Sequence, residues 1–264
     1  MSDECIHGFS DGLCATCNPK PVAEAAVAVK AAPRTRTAVA PRATVRSLRD
    51  AARIPAGVSP GDTVLEQRIY HVTHIRNLPA ILGDRAIVAG ANPVVDIAPE
   101  SLRLERMEAK VGTGEKVLDD YVPFFLSPDA TLWQALRTGS EHPRLSREAS
   151  VSDASEFVFL VSTVRHVAGV GHDFVVTDGN SENTYTRFAT SRADADRMLY
   201  RLRADSGDAL LDAELLVEGS LPLESVNLIG VQNDKVRAAV RDILAGSDFN
   251  PKISVYPPWF QPTE

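Results

Sequence analysis

From Arg68 onward the chain is cut into short apolar runs separated by turn residues, and this limits what it can fold into more than any other feature. Seven runs read as strands: Arg68–Thr73, Tyr121–Leu126, Glu156–Ser162, Phe174–Thr177, Leu210–Val217, Leu228–Val231 and Lys252–Tyr256. They are rich in Val, Ile, Phe and Leu and are bounded by turn formers such as Asp178-Gly179-Asn180. Helical spacing appears at Leu78–Leu82, Pro99–Lys110, Ala130–Thr138, Arg192–Arg203 and Asp234–Ala245. A helix does not follow every strand, which argues against a doubly wound parallel sheet. The expectation is an α+β domain over 64–264, with a curved or split mixed sheet and flanking helices.

The part before that domain has a different composition. Residues 20–60 are rich in Ala, Pro, Arg and Thr and contain no aromatic residue. Such a segment cannot bury enough surface to offset the entropy of ordering it, so it reads as a flexible linker. Charge is distributed with the same break: −3 over 1–19, +6 over 20–54 and −10 over the rest, for a net −7. A basic stretch beside an acidic domain fits either a nucleic-acid contact or a merely soluble linker.

Residues 1–19 hold all three cysteines, in the pattern Cys5-x-His7-x6-Cys14-x2-Cys17. Four ligands of this kind match a closed tetrahedral zinc site of a structural type, since no position is left for water. A segment this short has no core, so the metal would be what folds it. The alternative is a redox pair at Cys14 and Cys17. An odd cysteine count crowded at one end is no disulfide framework. With no basic, apolar leader at the N-terminus and no run of roughly 18 apolar residues, a membrane span is not expected, and a reducing cytoplasmic setting is.

Two places in the main domain offer chemistry. Arg68-Ile-Tyr-His71-Val-Thr-His74 puts two histidines three residues apart at a strand end, so they face opposite sides and at most one points into a given site. A buried, hydrogen-bonded core histidine is the plainer reading of either. In Asp212-Ala-Glu214-Leu-Leu-Val217 a carboxylate sits inside an apolar run, where it is costly unless solvated at an edge or used for function.

Six motifs in order give the sequence a family likeness: IYHVTHIRNLPAIL (69–82), DYVPFFLSP (120–128), FLVSTV (159–164), FVVTDGN (174–180), AELLVEGSLPLESVNLIGV (213–231) and SVYPPWF (254–260). Together they resemble the DarT family of DNA-modifying ADP-ribosyltransferase toxins of bacterial toxin–antitoxin systems. The resemblance implies the ADP-ribosyltransferase-like split sheet, with NAD⁺ as co-substrate bound in the cleft between its halves. It implies single-stranded DNA as acceptor and a macrodomain antitoxin as partner. By the same resemblance Glu214 is catalytic, Arg106 takes part with Arg103 one helical turn away as the alternative, and His71, Thr73 and Asn77 contact the cofactor. His71 is expected to donate a hydrogen bond to the ribose or phosphate on the nicotinamide side, and Arg106 to hold the pyrophosphate as a charge-assisted fork.

The chain departs from the family pattern after YVPF, where FLSPDATLW replaces an Arg-Ser-Pro-Met stretch with Asp129-Ala130-Thr131. That change keeps open a same-fold transferase acting on RNA or protein. A non-catalytic NAD⁺- or DNA-binding adaptor is the third reading.

Overall fold

In the computed structural model, residues 64–204 and 208–262 are described. The expected knuckle at 1–19, with Cys5, His7, Cys14 and Cys17, and the linker at 20–60 lie outside them. Among the described residues no helix is long and apolar enough to cross a membrane. None of their His, Cys, Asp or Glu side chains form a group of three or more able to hold a metal ion.

The strands are β1 (Arg68–His74), β2 (Ala86–Val88), β3 (Tyr121–Phe125), β4 (Phe157–Thr163), β5 (Phe174–Thr177), β6 (Phe188–Ala189), β7 (Glu214–Glu218), β8 (Ser220–Pro222), β9 (Leu228–Val231) and β10 (Lys252–Val255). The helices are α1 (Leu78–Asp84), α2 (Glu100–Glu108), α3 (Thr131–Thr138), α4 (Arg147–Val151), α5 (Val164–Gly169), α6 (Arg192–Ala204) and α7 (Asp234–Leu244). Eight strands form one mixed sheet in the order β10-β9-β4-β1-β3-β7-β5-β6, with β2 and β8 paired separately. Only β10 and β9 run parallel; the other neighbours are antiparallel.

Both faces of the large sheet are covered. Val158 and Leu160 of β4 join one core with Leu78, Val164, Leu199 and Val240, from α1, α5, α6 and α7. Phe157, Phe159 and Val161, alternating with them along the same strand, join a second core with Trp133, Leu136, Ala149 and Phe260. A strand buried on both faces reads as a continuous apolar run, which is why β4 stands out in the sequence. In the second core the ring of Trp133 meets Phe157, Phe159 and Phe260 edge-on, with centroids 5.2 to 5.9 Å apart. Trp259 lies over Gly230 so closely that a Cβ there would sit 2.6 Å from its ring. Glycine is the side chain that permits this approach.

The large sheet is continuous rather than split, with a seam at its middle. β1 is bound to β4 through seven register pairs and β3 to β7 through five, whereas β1 and β3 share one, Tyr70↔Phe125. The expected strand over Leu210–Val217 is corrected: Asp208–Leu210 forms a 3-10 turn and the strand begins at Glu214. Glu214 is therefore the first residue of β7 rather than a mid-strand carboxylate. The three-residue β2 and β8, the two-residue β6 and the short helices α4 and α5 were not expected; elements of this length show no periodicity to read.

Candidate active site

A cleft of about 420 Å³ opens at the seam and is lined from both halves of the sheet by His71, Thr73, Pro123, Phe125 and Glu214. The segment from Val88 to Ala98 and helix α2 form its outer wall through Asn92, Val95, Arg103 and Arg106. Its size lies within the range of pockets that enclose small molecules and cofactors, roughly 300–1,000 Å³.

Glu214 is 1% exposed, and neighbours hold each of its parts. Its backbone N–H donates to the Thr177 hydroxyl of adjacent β5 at 2.9 Å. The Ser181 hydroxyl donates to carboxylate oxygen Oε2 at 2.6 Å, and Arg144 Nη2 donates to Oε1 at 2.8 Å. Arg144 also pairs with Glu182 at 2.7 Å, and Glu182 in turn receives Arg106 at 2.5 Å. The result is a buried ladder of alternating charge, Arg106–Glu182–Arg144–Glu214. Burial works against the charge on Arg144, but the carboxylates of Glu214 and Glu182 outweigh it and push the guanidinium above its ordinary pKa. Arg144, Ser181 and Glu182 are absent from the residues expected from sequence.

His71 and His74 do face opposite ways. His71 lines the cleft, and its Nδ1 lies 3.0 Å from the carbonyl oxygen of Pro123, across the seam. A carbonyl only accepts, so Nδ1 carries the hydrogen. Burial lowers the pKa of the ring, opposed by this backbone bond, and the neutral ring leaves Nε2 as an acceptor. Toward the cleft His71 therefore offers an acceptor, where a donor was expected. His74 is 3% exposed, stacks edge-on against Phe157 and accepts the Arg76 N–H through Nδ1. It caps the turn that leads into α1.

Thr73 and Asn77 both line the cleft, but they bond to one another and to the wall. Asn77 Nδ2 donates to the Thr73 hydroxyl at 3.0 Å and to the Val95 carbonyl at 2.8 Å, while its Oδ1 accepts the Val95 N–H at 3.0 Å. With both amide hydrogens committed, Asn77 fixes the outer wall to β1. Arg106 is buried on α2 and spends donors on Glu182 and on the Leu118 carbonyl, at 3.0 Å for the latter. An open fork is therefore not what it presents. Arg103, one turn earlier, is more exposed and bonds Asn92 and Asp96.

The altered 129–131 stretch has a structural partner. Asp129 accepts Arg137 Nη2 at 2.8 Å, and Arg137 Nη1 donates to the Trp259 carbonyl at 2.9 Å. The Asp129 carboxylate thus neutralises a fully covered guanidinium, and that guanidinium ties α3 to the C-terminal turn.

Comparison with known proteins identifies the family and the fold. The family profile described as "ssDNA thymidine ADP-ribosyltransferase, DarT" matches residues 70–261. A relative from Thermus aquaticus, described as a DNA ADP-ribosyl transferase, is 28% identical over 192 residues, 67% of this chain and 80% of its own length. Among solved structures, Thermus sp. 2.9 DarT in complex with ADP-ribosylated ssDNA superposes with a TM-score of 0.61 at 26% identity, covering 74% of this chain and 96% of that one. The same protein in complex with NAD⁺ gives 0.58 at 23% identity, over 74% and 97%. The large mixed sheet with its flanking helices is the fold of those proteins, and the chain belongs to the DarT family.

Proposed function

We propose that this chain transfers ADP-ribose from NAD⁺ to a base of single-stranded DNA, with Glu214 as the catalytic carboxylate. The observation that carries this reading is a carboxylate clamped at the head of β7, on the floor of a cofactor-sized cleft, in a chain of the DarT family.

The residues suit the chemistry. Breaking the bond between nicotinamide and ribose develops positive charge on C1′ and the ring oxygen. A carboxylate that accepts a hydrogen bond from the ribose 2′-hydroxyl stabilises that charge, an electrostatic effect strengthened by exclusion of water. The attacking base nitrogen forms a new bond to C1′ as nicotinamide leaves with the electrons of the old one. The proton lost by the base passes to Glu214 and then to solvent. His71 Nε2 accepts from a ribose hydroxyl, and Thr73 and Asn77 keep the cofactor wall in place. Arg106 keeps Glu182 in register beneath the reacting atoms, with its remaining donors free for the pyrophosphate or the base.

The family description names thymidine, so thymine is the expected acceptor base. An imino nitrogen engaged in base pairing cannot attack, and extruding it costs a few kcal/mol, so single strands should react and duplex should not. The test is mass spectrometry after incubation with NAD⁺ of oligonucleotides that each lack one base, alongside duplex, RNA and protein. One ADP-ribose on the thymine-containing strands is the expected product. Modification of RNA or protein with none of DNA would reject the reading.

The reading extends to the N-terminal segment, where Cys5, His7, Cys14 and Cys17 hold a structural zinc and the +6 linker tethers DNA to an acidic domain. If every net charge of the linker met a phosphate, log K would fall with log salt at a slope of about −4 for single strands. Deleting residues 1–60 should flatten that slope while turnover at saturating oligonucleotide stays unchanged; equal slopes would remove the tether. A macrodomain protein that reverses the modification is the partner this function calls for.

A further inference from the structure

We propose that Arg144 is the positioning residue of the reaction, holding Glu214 in its working rotamer while Glu182 holds Arg144. This rests on the catalytic role of Glu214 proposed above.

A carboxylate that is 1% exposed does not choose its own orientation; its partners choose it. Two partners act on the side chain of Glu214. Ser181 takes Oε2 from the polar turn after β5. Arg144 takes Oε1 from the segment between α3 and α4. Arg144 supplies the charge, and its backbone is unusually well fixed for a segment outside regular structure. The Arg144 N–H donates to His142 Nδ1 at 3.2 Å. Two residues on, Ser146 donates its N–H to the Ile97 carbonyl at 2.7 Å and its hydroxyl to the Asp96 carbonyl at 2.6 Å. The guanidinium therefore starts from an anchored base.

The same Nη2 that donates to Glu214 also lies 2.7 Å from Glu182, which is itself sandwiched between Arg144 and Arg106. Every group in this ladder has a charged neighbour on each side except the two ends, Arg106 and Glu214. Arg106 ends on a backbone carbonyl, and Glu214 ends on the cleft. The ladder thus runs from the α2 wall to the carboxylate of Glu214, which lines the cleft. An arginine suits the central place because its delocalised, weakly hydrated guanidinium keeps its charge when buried, and its Nη2 lies within 2.8 Å of both carboxylates. Leaving Glu214 buried without this cation would uncompensate its charge and free its rotamer, and both act against a transition state that needs a fixed anion.

The experiment uses the full-length protein with NAD⁺ and a single-stranded oligonucleotide, and separates kcat from each KM. Arg144→Met should lower kcat about 100-fold, the scale of losing one preorganised electrostatic group, with both KM values within about threefold of wild type. Arg144→Lys should recover to within about tenfold of wild type, because a cation returns without the fork. Glu182→Gln, which keeps its size and serves if Arg144→Met fails to fold, should lower kcat about tenfold. Combining it with Arg144→Met should cost little more than Arg144→Met alone, since one unit is being removed twice. Unchanged or raised kcat in Arg144→Met would overturn the proposal. So would a raised KM at constant kcat, which is the mark of a substrate contact, or a lysine variant no better than methionine. A wild-type protein that modifies no DNA at all would instead count against the proposed function.

Discussion

Two buried clusters in this domain are built on opposite principles. Around Trp133 the side chains are Phe157, Phe159, Trp259 and Phe260, and its own polar atom, the indole N–H, is met by the Trp259 carbonyl at 2.6 Å. Around Glu214 the side chains are Arg144, Glu182 and Arg106, all charged and all nearly covered. The first cluster removes a large apolar area from water and is a source of stability. In the second, desolvation offsets most of what the ion pairs return, so its net contribution to folding is small. Its value is a fixed arrangement of charge at a cleft. The two clusters should therefore respond to truncation in different observables.

The largest effect expected is on chemistry. Glu214→Gln preserves the size of the side chain and its bond to Ser181 but not its charge. Transfer should fall by about 1,000-fold, with thermal unfolding and NAD⁺ affinity near wild type. A rate within about threefold of wild type would show that the ionic cluster is structural after all.

The converse substitution is Trp133→Ala, at a side chain 1% exposed. It should cost about 3–5 kcal/mol of stability, read from the denaturant midpoint. Turnover per folded molecule should change little, because none of the ladder's hydrogen bonds pass through the indole. A folded variant with a rate far below wild type would mean that the two clusters are coupled.

Smaller effects distinguish neighbours on one element. Arg106→Ala leaves Glu182 with one cation fewer and should slow transfer about tenfold or more; Arg103→Ala, with partly exposed partners, should do much less. The reverse order would shift the role by one turn of α2. His71→Ala should weaken NAD⁺ binding roughly fivefold to tenfold, the worth of about one hydrogen bond, whereas His74→Ala should lower stability with binding retained. Because the His71 pKa is already depressed by burial, its ring stays neutral until the pH falls below the ordinary histidine range. NAD⁺ affinity should thus be flat from neutral pH down to that range and be lost only below it; a loss centred near neutrality would contradict this placement.

The aromatic cluster was far more legible in the sequence than the ionic one. β4 betrays itself because burial on both faces leaves no room for polar residues, and α3 because Leu132, Trp133 and Leu136 recur at helical spacing. Glu214 could be singled out because a carboxylate next to Leu215, Leu216 and Val217 is anomalous. Arg144 could not. It lies in Gly139-Ser-Glu-His-Pro-Arg144-Leu-Ser146, where a charged residue is ordinary, and its carboxylate partner is 70 residues away. Ser181 and Glu182 are hidden in the same way in a polar turn. Chemistry assembled from unremarkable loop residues leaves no local signal, because what marks these residues is burial that only the folded chain confers. The histidines were a middle case: strand alternation predicts that they diverge, but the atom each one offers depends on a carbonyl across the seam.

That seam has a mechanical consequence. Seven rungs on one side and five on the other make two stiff plates, and the single rung Tyr70↔Phe125 is the thread between them. Fewer ladder pairs cross the sheet at this line than between β1 and β4 or between β3 and β7, so opening there breaks the fewest of them. A hinge at that one rung would leave every other ladder of the sheet intact. The bond from His71 to the Pro123 carbonyl is a second tie across the same line, made by a side chain rather than by the ladder.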